Sequence, residues 1–529
     1  MNNVSWLENA VFYNIYPQSF YDSNGDGIGD LNGIREKLSY VQDMGFTAIW
    51  LNPFYESPFR DAGYDVTNFY AVAPRYGTNE DFCALCREAH ERGIKVVIDL
   101  VAGHTALECP WFQESCKPEK NQYTNRYIWT NHWGKTYKNR CIGGFAQRNG
   151  CYMHNFFYCQ PALNYGFASI DDPSWQLPAD HPDCLATKQE LLNIMDYWIG
   201  LGADGFRVDM AASLIKNDPD GTGITAFWQS IRKIFDETYP QCVLISEWSH
   251  PSKAINAGFH IDFLIHFCLP CYTSLFREED GRNVNPGTGK HSYFSTEGKG
   301  CLRTFLTDYR QQYEATKDKG YIAMPTGNHD LPRINVHRSA RELEVAYAFL
   351  LTMPGVPFVY YGDEIGMPYA AELPSKEGGF NRTGSRTPMQ WCRGKNAGFS
   401  NGRKKDLYLP VQENGVNVAD QQKDENSLLN ATKALICLRR NSNALSARGT
   451  VEFLNEEARD YPMVYRRRGT DGSYLIGINP TDREQFFPCP LDGAVVVREN
   501  DRAVIDRTGI RLPPISYAIL KLNETEEQK

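Results

Sequence analysis

The chain has 529 residues, 42% hydrophobic and 22% charged, with a formal net charge of −9. That length exceeds what one compact core organises and predicts two or three domains, while the acidic balance excludes nucleic acid and anionic membrane surfaces as partners. No apolar run approaches the roughly 20 residues of a membrane helix, and no basic segment followed by an apolar one opens the chain, so neither a membrane span nor a secretory leader is expected.

Read in order, short β-rich runs alternate with amphipathic helical stretches. VFYNIYP (11–17) precedes a turn-rich loop and a helical stretch at 31–45. AIWLNP (48–53) precedes a loop and the helical DFCALCREAHERG, and KVVIDLV (95–101) follows. Later come GFRVDM, VLISEW, IDFLIHF, YIAMPTGNHD and FVYYGDEIG. These make eight strands with helices between them, the pattern of a closed α/β barrel, (β/α)8, with a parallel sheet. His104, Asp209, Glu247, His329 and Asp330 fall at the C-terminal ends of these strands, the face that carries chemistry in such barrels.

One connection is too long for a simple crossover. Residues 105–185, rich in Cys, Asn, Trp and Tyr, predict a small inserted domain, followed by the helix TKQELLNIMDYWIGLG. The barrel then comprises 1–104 and 186–445. From 446 to 529 the pattern becomes short alternating strands (TVEFL, MVYRRR, YLIGIN, AVVVREN, YAILKL), predicting a C-terminal antiparallel β-domain whose tail, 524–529, frays. There are 15 cysteines without a disulfide-framework spacing, which fits free thiols in a reducing cytoplasm. The pairs Cys83/Cys86 and Cys268/Cys271 lie too far apart for a zinc ribbon, and the first sits inside a helical stretch. Aromatic residues reach 13%, which suits stacking on sugar rings but fits a large core as readily.

Four segments resemble the signature regions of the α-amylase superfamily (glycoside hydrolase family 13): DLVAGH (Asp99–His104), GFRVD (Gly205–Asp209), Glu247 in ISEW, and NHD (Asn328–Asp330). A salt bridge at the barrel rim would explain any one alone; four in order, each ending a predicted strand, carry the resemblance over nearly the whole chain. Glycoside cleavage through an oxocarbenium-like transition state needs an acid for the leaving oxygen and a carboxylate on the other face of the ring. The resemblance implies Asp209 as nucleophile, Glu247 as general acid/base and Asp330 as third carboxylate. Burial or a neighbouring carboxylate should raise the pKa of Glu247. Arg207, two residues before Asp209 on one strand face, can keep it ionised. His104 and His329 resemble the family's sugar-hydroxyl ligands.

RDAGYD (Arg60–Asp65) resembles a family stretch that implies Tyr64 as stacking platform and Asp61 as partner of the far sugar hydroxyls. Arg386, in SRTPMQW, resembles the arginine that pairs with that aspartate and closes the site for exo action. QPALN (Gln160–Asn164) is similar to the QPDLN of the oligo-1,6-glucosidase branch, with Ala162 in place of Asp. DSNGDGIGD (22–30) has the look of an EF-hand loop, but the twelfth position, which needs Glu, is Gly33. Relatives in this branch hold a structural Ca²⁺ with such a loop, which implies Asp22, Asn24, Asp26, Asp30 and the Ile28 carbonyl as ligands.

Two departures matter. Gly103 stands where the family usually has an Asn that ligates a calcium between barrel and inserted domain, which argues against that second ion. Met210 after the nucleophile fits neither the α-1,6 nor the α-1,4 pattern of relatives. The reading is a retaining exo-α-glucosidase acting on short α-gluco-oligosaccharides, as a monomer or small homo-oligomer without organic cofactor. The alternatives are a transglucosidase or trehalose-synthase-like isomerase on the same site, and a non-catalytic relative like transporter heavy chains. The three retained carboxylates and the lack of an anchor argue against the last.

Overall fold

The computed structural model describes residues 4–130, 140–265, 267–277, 291–378, 382–412, 415–455, 460–491 and 493–523. The expected frayed tail, 524–529, lies outside the described residues. Eight strands build one parallel sheet: β1 (Phe12–Ile15), β2 (Ala48–Leu51), β3 (Lys95–Leu100), β4 (Gly205–Val208), β5 (Val243–Ser246), β6 (Ile261–Phe263), β7 (Tyr321–Ala323) and β8 (Phe358–Tyr360). Their order is β7-β6-β5-β4-β3-β2-β1-β8, and a parallel bridge from Pro325 to Phe358 joins the two ends into a barrel. The strands are buried on both faces, as expected when helices cover a parallel sheet.

Local chemistry explains the helices. Thr78 caps the helix Asn79–Glu91 reciprocally with Asp81, and the apolar positions Phe82, Leu85, Cys86 and Ala89 repeat on one face, the spacing that lays a helix on a core. Cys83 and Cys86 therefore belong to a helix packed on the barrel, and all 15 cysteines are free. The stretch 31–45 is interrupted at Lys37 into Leu31–Glu36 and Leu38–Asp43. The helix before β4 runs Pro182–Gly200, with His181 as N-cap and Pro at its first position, so it starts earlier than the TKQELL run suggests; a proline fits there because that N–H has no helical partner.

Between β3 and β4 the chain forms a three-stranded antiparallel sheet from Trp129–Thr130, Cys151–Met153 and Cys141–Gly143. It returns to the barrel through the bridge between His104 and Ala162. Beyond the barrel, Thr450–Phe453, Met463–Gly469, Gly472–Asn479, Ser516–Leu522 and Val495–Glu499 make a five-stranded antiparallel sheet. A second sheet, Gln485–Pro488, Gly509–Leu512 and Val504–Asp506, packs on it around Val464, Leu475, Ile510 and Leu520. Only the first had a clear alternating pattern. Buried Arg467 ties this region to the barrel by donating to the carbonyls of Thr352, Ser446 and Gly449.

Candidate active site

Strand register assembles the centre. Asp99 on β3 pairs with Arg207 on β4, which pairs with Ile245 on β5. One residue past the strand ends, Asp209 N–H donates to Leu100 O and Glu247 N–H to Val208 O, both at 3.0 Å. Arg207 is fully buried in the middle. Its Nη1 lies 2.7 Å from Asp99 Oδ1 and 3.2 Å from Asp209 Oδ1, and its Nη2 lies 2.5 Å from Glu247 Oε1. One guanidinium thus touches both carboxylates of the expected pair.

Burial pushes the Asp209 carboxyl well above the carboxylate range, Glu247 adds to the rise, and Arg207 opposes it. The carboxyl that burial and its neighbour drive upward in this site is that of Asp209. Glu247 meanwhile accepts Arg207 on one oxygen and Met210 N–H on the other, at 2.9 Å. Met210 reaches that position in a left-handed conformation, φ 45° and ψ 42°. For a non-glycine residue this costs on the order of 1–3 kcal/mol, and such strain clusters at functional sites.

Asp330 follows β7. Burial would raise its pKa, but His329, Arg382 and Arg386 together hold it well below the usual range. Its Oδ2 faces His329 Nε2 at 3.2 Å, and its Oδ1 takes Arg382 Nη1 at 2.6 Å and Arg386 Nη2 at 3.2 Å. Asp61 sits in a turn that contains Ala62 at φ 55° and Gly63 at φ 97°. Asp65 holds that turn by accepting Arg60 N–H, Asp61 N–H and Ser57 Oγ–H, and burial raises its carboxyl to about 6.

The pairing expected between Asp61 and Arg386 is not the one that forms. Asp61 Oδ1 receives Arg382 Nη2 at 2.6 Å, and its Oδ2 receives Gln160 Nε2 at 2.7 Å. Arg386 turns the other way, onto Glu377 Oε2 at 3.1 Å, the His329 carbonyl at 2.9 Å and Asp330. The two arginines flank the short 3-10 turn Thr383–Ser385, which sends their side chains to different partners. Arg382 therefore bridges Asp61 to Asp330.

Tyr64 donates its hydroxyl to Asp99 Oδ2 at 3.0 Å and stacks on His329 with centroids 5.2 Å apart. His104 is more constrained than a free sugar ligand. Its Nε2 meets the Tyr64 carbonyl at 3.0 Å and its Nδ1 meets Asn155 Nδ2 at 3.2 Å, so both ring nitrogens are engaged within the protein. Burial lowers its pKa to about 4, which keeps it neutral. The Gly103 departure has a structural counterpart: a Cβ there would lie 2.5 Å from Asn155 Nδ2. The Asn155 amide fills that space, accepts Lys216 Nζ at 3.0 Å and reaches Met210 Sδ at 3.8 Å. The Asn155 amide and the Lys216 amine, whose pKa burial lowers to about 7, join the inserted segment to the barrel there.

The loop expected to hold calcium is closed by its own backbone. Asp22 accepts Gly25 N–H and Gly27 N–H, Asn24 accepts Asp26 N–H, and Asp26 accepts Ile28 N–H. Asp30 caps the next helix through Gly33 N–H and also holds Ser23. The oxygen-only donor set suits a hard cation, but among the described residues no three His, Cys, Asp or Glu side chains converge as a metal site. Two further residues matter that the sequence offered without a role: Asp99, present in a quoted motif, and Arg382, whose one signal was its nearness to the SRTPMQW run.

A family model described as the catalytic domain of alpha amylase matches residues 14–448. The trehalose synthase/amylase TreS of Mycobacterium tuberculosis is 32% identical over 92% of this chain and 83% of its own. The oligo-1,6-glucosidase of Heyndrickxia coagulans is 30% identical over 92% of this chain and 94% of its own. The solved structure of an isomaltulose synthase mutant from Erwinia rhapontici NX5 in complex with sucrose superposes with a TM-score of 0.81 at 26% identity, covering 98% of this chain and 99% of that one.

Proposed function

Because the chain belongs to the α-amylase family, we propose that it is a retaining, exo-acting α-glucosidase that releases terminal glucose from short oligosaccharides. The observation that carries this reading is the Asp61–Arg382–Asp330 bridge, which links the loop after β2 to the third carboxylate. A pocket shut by such a bridge admits one terminal sugar unit and excludes the interior of a polymer.

In the proposed reaction Asp209 attacks the anomeric carbon as Glu247 gives its proton to the departing oxygen, leaving a glycosyl–Asp209 ester and the free alcohol. Glu247 then takes a proton from water, whose oxygen displaces Asp209 from the same face on which the first glycoside bond stood. Arg207 holds both carboxylates, and Asp330 with His329 would bind ring hydroxyls. A calcium ion on Asp22, Asn24, Asp26, the Ile28 carbonyl and Asp30 belongs to the proposal as a structural element alone. The free thiols favour a cytoplasmic setting, and no helix among the described residues is long and apolar enough to cross a membrane.

The likeness to a trehalose synthase/amylase and to an isomaltulose synthase favours a second reading, in which a sugar hydroxyl rather than water attacks the intermediate. Incubation with maltose, isomaltose, sucrose and trehalose separately, with products resolved by chromatography, decides between them. Free glucose as the main early product supports hydrolysis. Conversion of one disaccharide into another with little free glucose supports the second reading. Glucose released first as the β-anomer, read by NMR, would refute retention under either.

A further inference from the structure

One carboxylate of the neighbouring strand fixes the backbone on both sides of Glu247. Asp262, in the middle of β6, is completely buried, and the β5–β6 register sets it against Ser246. Its Oδ1 accepts Ser246 Oγ–H at 2.6 Å and Trp248 N–H at 3.1 Å, and its Oδ2 accepts His250 N–H at 2.8 Å. These donors bracket Glu247. The segment between them passes through Ser249 at φ 56°, a left-handed conformation that few non-glycine residues adopt. Ser249 Oγ accepts Ile265 N–H at 3.2 Å, which ties the turn to the β6 side a second time. Burial raises the Asp262 carboxyl to about 7, while the bonds from Ser246, His250 and Trp248 pull the other way.

A buried carboxylate wrapped by the chain around the acid/base has a consequence for chemistry. A general acid works only within hydrogen-bond reach of the leaving oxygen, and a displacement of about 1 Å can cost on the order of 10²-fold in rate. Asp209 hangs from β3 and β4 through its own N–H bond to Leu100 O, away from these contacts. We propose that Asp262 is a positioning residue for Glu247: it clamps residues 246, 248 and 250 so that the acid/base carboxyl stays aimed at the leaving oxygen. This rests on the assignment of Glu247 as acid/base made above.

The test separates positioning of the acid from general damage through the leaving group. A natural disaccharide needs its leaving oxygen protonated, whereas dinitrophenolate departs from a 2,4-dinitrophenyl α-glucoside without help. The constant kcat/KM reports the steps up to formation of the glycosyl–enzyme. Asp262→Asn keeps the shape but sets an amide N–H against one of the N–H donors. We expect kcat/KM on maltose or isomaltose, whichever the wild type cleaves faster, to fall at least about tenfold, and kcat/KM on the aryl glucoside to stay within about threefold. Ser246→Ala, which removes a single bond to Asp262, should shift the same ratio in the same direction by about threefold, and serves if Asp262→Asn does not fold. Equal losses on both substrates, or an unchanged ratio in the variant that folds, would overturn the role of Asp262. A wild-type enzyme inactive on all of these glycosides would remove the acid/base assignment itself, and this inference with it.

Discussion

Replacing Arg382 with Ala removes a guanidinium whose Nη2 lies 2.6 Å from Asp61 Oδ1 and whose Nη1 lies 2.6 Å from Asp330 Oδ1. The Arg382 and Asp61 side chains are only 9% and 5% exposed, so bulk water cannot take over the lost bonds. Asp61 would keep Gln160 Nε2 but lose its charge partner. Leaving a buried carboxylate half-satisfied costs about 2–4 kcal/mol, which corresponds to a loss of about 30- to 1,000-fold in kcat/KM on a disaccharide. Asp61→Ala should cost a similar amount, because it breaks the same contact from the other side. If the two act through their contact, the double variant is little worse than either single one, with a coupling energy of about 1.5–3 kcal/mol. Arg386→Ala is the control: its partners are Glu377, Asp330 and the His329 carbonyl, so its effect should add to that of Asp61→Ala. The assay is initial-rate kinetics on short glucosides, with starch digestion followed in parallel by iodine colour and free glucose. Arg382 and Asp61 effects that add within about 0.5 kcal/mol, with coupling to Arg386 instead, would refute the bridge as the closing element. Rapid loss of iodine colour by the wild type, with a ladder of mixed oligosaccharides, would refute closure altogether.

Asp209→Asn and Glu247→Gln should each lower kcat by at least about 10³-fold while circular dichroism shows the fold intact; near-wild-type turnover on every sugar tried would remove their assignment. His104 is buried with its pKa lowered to about 4, from 6.5. The unfolded chain therefore takes up a proton at this side chain between those values and the folded chain does not. Its contribution to stability is complete above about pH 6.5 and is lost as pH falls toward 4. The urea midpoint of the wild type should accordingly drop more between pH 7 and 4.5 than that of His104→Gln; parallel curves would mean that His104 carries no such linkage. If the loop 22–30 binds calcium, chelation should lower the melting temperature modestly and leave initial rates at room temperature nearly unchanged, since an ion bound only by the native state stabilises it. Immediate loss of activity in a folded enzyme would place the ion in the chemistry instead.

Much of the molecule is legible in the sequence alone. The barrel strands carry continuous apolar runs, the helix Asn79–Glu91 shows a capping pair and a one-sided apolar face, and Asp209 and Glu247 follow directly on their strands, whereas β7 stops at Ala323 and leaves Asp330 on the loop beyond it, not at the strand end that its motif suggests. Signals of this kind are local: a period of side-chain alternation, a cap, a turn residue. The second C-terminal sheet escaped because Gln485–Pro488 and Val504–Asp506 are too short to show a period, and both begin among exposed or half-exposed residues.

The partners of the site charges were not legible. Asp99 and Arg207 meet because β3 and β4 run side by side in register, although 108 residues separate them in the chain. Arg382 and Arg386 have the same chemistry and nearly the same place in the sequence. Which of them reaches Asp61, 321 residues from Arg382, is settled by how a 3-10 turn leans against two loops. Asp262 is a lone carboxylate in the apolar run IDFLIHF, and such a residue carries no sign in the sequence of what it faces. Its role appeared once the sheet put it beside the turn around Glu247. A backbone pattern repeats within a few residues and is written into the sequence directly, whereas an ion pair depends on the distance between two side chains, which only the folded arrangement of their strands and loops fixes.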